Sequence, residues 1–166
     1  MDGFTSAATY TDAEYARIMA VNVTAPLSLM RSVIPHMLPH SHGRIINICS
    51  RASTSGATAG ICYTASKHAL LGATKHTAWR YKDDGITCNA VMPGSVGTNI
   101  QASMGPNIDL ESLQTLAPMH GMNRIKGREI AVQAKEVAEA VLFLASEGAG
   151  SISGAALPVD MAWSAV

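Results

Sequence analysis

Gly43-Arg44-Ile45-Ile46-Asn47-Ile48-Cys49-Ser50 is the stretch on which the fold turns. Its centre is apolar and β-branched without clean alternation, as in a short strand buried on both faces. It ends on a serine, and residues 51–60 that follow are Ser, Thr, Gly and Ala, a loop composition. From Ile61 to about Tyr81 the chain reads as a long helix, stopped by Asp83-Asp84-Gly85. Ile86-Thr87-Cys88-Asn89-Ala90-Val91 is then a second strand, broken by Pro93-Gly94. Strand, helix and strand in that order predict a parallel pair with a right-handed crossover.

Working outward, a helix is expected upstream from Thr11. Thr11-Asp12-Ala13-Glu14 has the form of a capping box. Ile18, Asn22, Ala25, Leu29 and Val33 follow at helical spacing on one face, with Pro35 and Pro39 bracketing the end. Downstream, residues 99–133 have weak periodicity around Pro106 and Pro118 and read as a partly helical insertion on the substrate side. Lys135 to Glu147 is an amphipathic helix with Val137, Ala140, Val141 and Leu144 on one face, and Ala155 to Val159 closes as a short strand. The helix from Ile61 is small-sided at Ala65, Ala69, Gly72 and Ala73, which allows another helix to approach closely. Three strands make a thin sheet. The strand at Ile45 lacks an obvious neighbour on one side, so a partner or a further part of the chain is expected to cover it.

The bulk numbers narrow the function. The 166 residues suit one domain, and 48% hydrophobic against 14% charged residues is a core-rich composition. The net charge of zero, with no basic block, argues against nucleic acid or a membrane surface as partner. No apolar stretch approaches the ~20 residues of a membrane span, and no secretory leader is visible, so a cytoplasmic location is expected. Cys49, Cys62 and Cys88 lack metal-site spacing and read as reduced core thiols.

The chemistry is concentrated around Tyr63-Thr64-Ala65-Ser66-Lys67. Residues four apart share a helix face, so phenol and ammonium point the same way. A free tyrosine titrates at ~10, and a lysine cation beside it is expected to lower that value. Ser50 lies at a strand end, thirteen residues before Tyr63, where open α/β sheets place ligands. Its hydroxyl could donate to a substrate carbonyl, or it could simply start a loop by bonding its own backbone. Asn22 falls in the apolar stripe, so its amide should be buried and partnered. Pro26, four residues on, removes the donor for the Asn22 carbonyl. That leaves two readings: a carbonyl free to hold a water, or a proline kink with a satisfied amide. His36, His40 and His42 suit a solvated turn better than a metal site. His68 and His76 read as ordinary helix residues. Met119 and Met122 suit either an apolar substrate or gap filling.

Together, Val21-Asn22-Val23, Gly43 to Ser50, Tyr63 to Lys67 and Pro93-Gly94-Ser95-Val96-Gly97-Thr98 resemble the short-chain dehydrogenase/reductase family. The resemblance runs from the first helix to Val159-Asp160. It implies a Rossmann-like α/β fold with a doubly wound parallel sheet, of which residues 1–166 would be a single partial domain, the C-terminal half. It implies NAD or NADP as cofactor and an alcohol/ketone pair as substrate. Tyr63 would be the general acid/base, and Lys67 would lower its pKa and bind the nicotinamide ribose. Ser50 would orient the substrate oxygen, and Asn22 would hold a water in a relay through Lys67. Pro93, Gly94, Val96 and Thr98 would line the nicotinamide. A homodimer or homotetramer is implied as well.

Two departures stand out. The glycine-rich strand–turn–helix and the Asn-Asn-Ala-Gly-like segment that open the family pattern are not in these residues. Gly148 to Gly154 does not replace them, because it follows a helix. The family often ends in Val-Asp-Gly-Gly, whereas Asp160 here precedes Met161-Ala162-Trp163. The rival expectation is a non-catalytic fragment that acts through subunit association.

Overall fold

A computed structural model describes residues 1–104, 107–127 and 132–165. Residues 105–106 (Pro106 among them) and 128–131 of the expected insertion lie outside the described residues. Among those described, three parallel strands pair in the order β1 (Gly43–Ile48), β2 (Ile86–Pro93) and β3 (Ala156–Val159). Ile45 sits opposite Cys88, and Val91 opposite both Ile48 and Leu157. Every residue of β2 is buried, as a central strand requires.

One face of the sheet carries α2 (Ala25–Met37) and α3 (Ile61–Arg80). Met30 and Ile34 of α2 and Ala78 of α3 pack on Ile45, Ile86 and Cys88, while Leu70 and Leu71 pack on Cys49, Ala90 and Met92. The helix α5 (Ala134–Ala145) covers β1 and β2 from the other side. Its expected face holds, with Leu144 buried and Val137, Ala140 and Val141 partly so. Two asparagines inside this core are paired. Asn47 Nδ2 donates to Thr74 Oγ1 at 2.9 Å. Asn89 donates to the Ile152 carbonyl at 2.7 Å and accepts from Ala155 N–H at 3.0 Å, fixing the approach to β3. Gly154 and Ser153 both bond to Cys88 of β2, so the segment read as a false phosphate loop ties down the sheet instead.

The first helical run corrects four expectations. It is α1 (Asp12–Met19), a π-turn (Ala20–Thr24) and α2, so Pro35 lies inside it. Pro26 cannot donate to the Asn22 carbonyl and its ring crowds that turn, and the chain widens there by one residue. Ala25 N–H bonds back to the Ala20 carbonyl. One extra residue rotates everything downstream by ~100°. Ile18 stays buried as expected, but Met30 and Ile34 replace Leu29 and Val33 on the core side, and Leu29 is 65% exposed. The capping box is half made. Thr11 Oγ1 accepts from Glu14 N–H at 3.2 Å, but the Glu14 carboxylate turns away to Gly3 N–H (2.9 Å) and the Thr5 hydroxyl (2.8 Å). Finally, Asp12–His40 is a continuous 29-residue helical run, and by length and composition it is long and apolar enough to cross a bilayer. No stretch was expected to approach that. Its Met30 and Ile34 belong to the sheet core.

The expected uncovered strand is observed: β1 is an edge, and Ile48 on it is 47% exposed. The small residues Ala65, Ala69 and Gly72 of α3 also face outward. Within the insertion, a short 3-10 turn (Asn99–Ser103) precedes α4 (Leu110–Gly121), which Asp109 caps by accepting from Ser112 N–H.

Candidate active site

Tyr63 and Lys67 stand one turn apart on α3, each less than a tenth exposed. Lys67 Nζ donates to the Ile48 carbonyl at the end of β1 (2.9 Å) and lies 5.4 Å from the centroid of the Tyr63 ring. Ser50 follows β1 directly. Its hydroxyl accepts from Ala52 N–H at 3.2 Å, capping the turn Arg51–Ser53, and it favours the Tyr63 phenolate. The loop-starting reading of Ser50 is therefore observed. Asn22 sits in the π-turn, half-buried rather than buried. Its Nδ2 donates to Ser66 Oγ (3.0 Å), whose hydroxyl donates to the Tyr63 carbonyl (2.7 Å). The amide is thus satisfied, and by the helix that carries the tyrosine.

The opposite wall follows β2. Gly94 N–H donates to the Val159 carbonyl at 3.0 Å, and a β-carbon there would lie 2.9 Å from Cβ of Asp160. Val96 pairs with Val132 as an isolated parallel bridge, and Thr98 Oγ1 accepts from Ile100 N–H. Asn22, Ser50, Tyr63, Lys67, Pro93, Gly94, Val96 and Thr98 all line a single cavity of about 710 Å³. Residues up to 76 positions apart in the sequence thus meet at the carboxyl ends of β1 and β2, where a parallel sheet opens its crevice.

The electrostatics depart from expectation. Burial pushes the Tyr63 phenol above its ordinary value. The Ser50 hydroxyl opposes that by favouring phenolate, while Asp2 and the Cys49 thiol add to it. Burial likewise pulls the Lys67 ammonium below its ordinary value, with Cys49 opposing. Burial thus outweighs what favours phenolate at Tyr63, while the Lys67 ammonium sits over the ring and is engaged by Ile48.

Several lining residues escaped the sequence reading. Phe4, His120 and Trp163 come from three distant segments, and the His120 ring stands 5.8 Å from each of the other two. Trp163 Nε1 donates to the Met119 carbonyl at 2.9 Å, holding the end of α4. Burial keeps His120 below its ordinary pKa, against the Thr58 backbone, which favours the charged form. None of these contacts has a local sequence period. The one available signal was the bulky Trp163 beyond Asp160. Met119 lends its backbone and Met122 is 61% exposed, while Met1 and Met104 line the cavity instead. Among the described residues, no three His, Cys, Asp or Glu side chains gather as a metal site would require.

A parallel α/β sheet with a helix-borne Tyr and Lys at its carboxyl edge places the chain among the Rossmann-type oxidoreductase folds. A family model described as enoyl-(acyl carrier protein) reductase matches residues 3–163. The short-chain dehydrogenase/reductase olcF of Penicillium canescens is 51% identical over 170 residues, covering 100% of this chain and 66% of that protein. The short chain dehydrogenase adrF of Penicillium rubens is 47% identical over 168 residues, with the same coverage. Among solved structures, ElxO with NADP bound superposes with a TM-score of 0.79 at 26% identity, over 98% of this chain and 62% of that one. The chain belongs to the short-chain dehydrogenase/reductase family. It spans 66% of the length of these curated relatives, corresponding to their C-terminal part.

Proposed function

We propose that this chain carries the proton-transfer half of an NAD(P)-dependent oxidoreductase acting on an alcohol/ketone pair. The observation that carries the reading is the convergence of the Ser50 hydroxyl, the Tyr63 phenol and Lys67 on one cavity. The residues present fit the nicotinamide end of such a cofactor. Lys67 uses one donor on Ile48 and has two more for a ribose, and Pro93, Gly94, Val96 and Thr98 supply a mostly apolar wall. The bound dinucleotide supplies the hydride.

The chain's own residues handle the oxygen. In the reductive direction Ser50 donates to the substrate carbonyl oxygen and polarises it. Tyr63 then transfers its phenolic proton to that oxygen as negative charge develops. In the oxidative direction the same phenol oxygen takes the proton back. Asn22, through Ser66 and the Tyr63 backbone, sets the pitch of α3 against the first helix. Its place in a water relay through Lys67 belongs to the same reading. The surroundings are apolar, with Ile18, Val21, Phe4 and Met104 on the walls, which suits a carbon-rich small-molecule substrate.

Tyr63→Phe keeps the ring and removes the proton. In this chain fused behind the preceding segment of its Penicillium canescens relative, it should cut turnover by ~10²–10⁴-fold. Turnover within a factor of two would sink the assignment. Two outward apolar surfaces support a second element of the proposal, a homodimer or homotetramer. They are Leu29 and Val33 on the first helical run, and Ile61 and Trp79 on α3 beside its small residues. Cytoplasmic residence fits its three buried free thiols. The same surfaces favour one rival reading, a non-catalytic subunit that acts by association. Fluorescence titration of NADH and NADPH against the 166-residue chain and the fused chain separates the two, since an associating subunit binds neither nucleotide in either form.

A further inference from the structure

The helix that carries Tyr63 begins without a cap of its own. Gly60 holds its N-cap position and offers no side chain, yet the first N–H groups of a helix need partners from outside it. They receive them from residues 2–5. Asp2 is fully buried. Its Oδ2 accepts the backbone N–H of Tyr63 at 2.9 Å, and its Oδ1 accepts those of Gly60 at 3.1 Å and Phe4 at 3.2 Å. Ile61 N–H donates to the Thr5 carbonyl at 2.8 Å. A β-carbon on Gly60 would stand 2.6 Å from Asp2 Oδ2, so only glycine lets the carboxylate come this close. The segment is gripped in turn by Glu14 of α1, through Gly3 N–H and the Thr5 hydroxyl.

A fully buried carboxylate is expensive unless it is hydrogen-bonded and faces positive charge. Three N–H donors and the positive end of a helix dipole meet that need. A serine would satisfy one such donor without bringing charge. The carboxylate brings charge, within bonding distance of the backbone of the residue whose proton is to move.

We propose that Asp2 is a positioning residue for Tyr63, fixing the phenol's depth in the cavity through the first turn of α3 and holding a negative charge behind it that favours the proton-donating form. The groups that meet the phenol are few. Ser50 and Cys49 approach from the end of β1, Lys67 from α3 and Asp2 from the N-terminal segment, while Met1, Arg17 of α1 and His120 of α4 line the same cavity. Ser50 favours phenolate, and Asp2 and Cys49 disfavour it. Asp2 is thus the one full carboxylate among them that opposes ionisation. It acts through the backbone at the start of α3, so it changes the tyrosine without touching the reacting atoms.

The inference rests on Tyr63 as proton carrier only for its catalytic meaning; the effect on the phenol can be read without turnover. Phenolate absorbance is titrated in the 166-residue chain and in Tyr63→Phe, and the difference isolates Tyr63. The same difference is then taken in Asp2→Asn, and again in Gly60→Ala, where the carboxylate stays in the chain but is pushed off the helix start. The Tyr63 midpoint should fall in both variants. In the fused chain, Asp2→Asn should move the tyrosine limb of the pH–rate profile to lower pH and cut kcat about tenfold, a loss of the size expected for one hydrogen bond to a charged group. A Tyr63 midpoint that stays in place in a folded Asp2→Asn or Gly60→Ala chain overturns the proposal. A midpoint that moves while Tyr63→Phe remains active upholds the effect of Asp2 and overturns the catalytic reading of Tyr63 instead.

Discussion

Lys67 donates its ammonium to the backbone carbonyl of Ile48 at 2.9 Å, while that same nitrogen lies 5.4 Å from the centre of the Tyr63 ring. The lysine is therefore anchored to the strand end and stands over the phenol face, whereas the Ser50 hydroxyl is the group that favours phenolate. Ser50→Ala should raise the titration midpoint of Tyr63, because it removes a hydroxyl that favours phenolate. Lys67→Met should move it less. Absorbance titration of the two variants checks the order, and a larger effect from Lys67→Met would show that the cation, not the hydroxyl, governs the phenol.

The π-turn at Ala20–Thr24 makes a sharp distinction between adjacent residues. Met30 is 6% exposed and Leu29 65%. Met30→Ala should cost ~2–5 kcal/mol, as a large-to-small change in a core does. Leu29→Ala should stay within ~0.5 kcal/mol in the monomer. Urea unfolding of both measures this, and equal costs would mean the helix keeps an unbroken α register.

That pair also marks the limit of what the sequence made legible. Strand, helix and strand from Gly43 to Pro93 could be read locally, because each element carries its own period and its own stop. The eight residues expected at the site share one cavity, since a parallel sheet brings the ends of its strands together whatever lies between them. The register after Pro26 could not be read from periodicity, because one inserted residue leaves every local pattern intact and only rotates it. Asp2 and Trp163 were hidden for a different reason. Their contacts span 61 and 44 residues, and neither partner has a neighbour that announces it.

Asn47 sits on the core face of β1 with its amide bonded to Thr74 Oγ1. Thr74→Val should strand that donor and cost ~1–3 kcal/mol, the penalty for a buried polar group left unmade. Adding Asn47→Leu should return much of the loss. A double-mutant cycle by chemical denaturation tests the pair, and additive losses would show that the two side chains do not depend on each other.

Asp109 caps α4 through Ser112 and accepts the Thr9 hydroxyl at 2.6 Å. These bonds hold its carboxyl down at about 2, from an ordinary 3.8, with Ser112 N–H as the largest cause. The folded value is depressed, so the stabilisation is whole above the unfolded value and is lost as pH falls from 3.8 through about 2. Pepsin cleavage within α4 should accelerate across that window. Asp109→Asn, which cannot titrate, should flatten the dependence. An equally steep dependence in Asp109→Asn would assign the transition to another group.

The column of Phe4, His120 and Trp163 joins the first residues of this chain to nearly the last, with an internal helix clasped between them. Contacts of such sequence separation carry a loop-closure cost that neighbouring strands and helices do not. The wall that Trp163 and Met119 close therefore depends on the docking of distant segments, whereas Tyr63 and Lys67 stand on a helix packed directly against its own sheet.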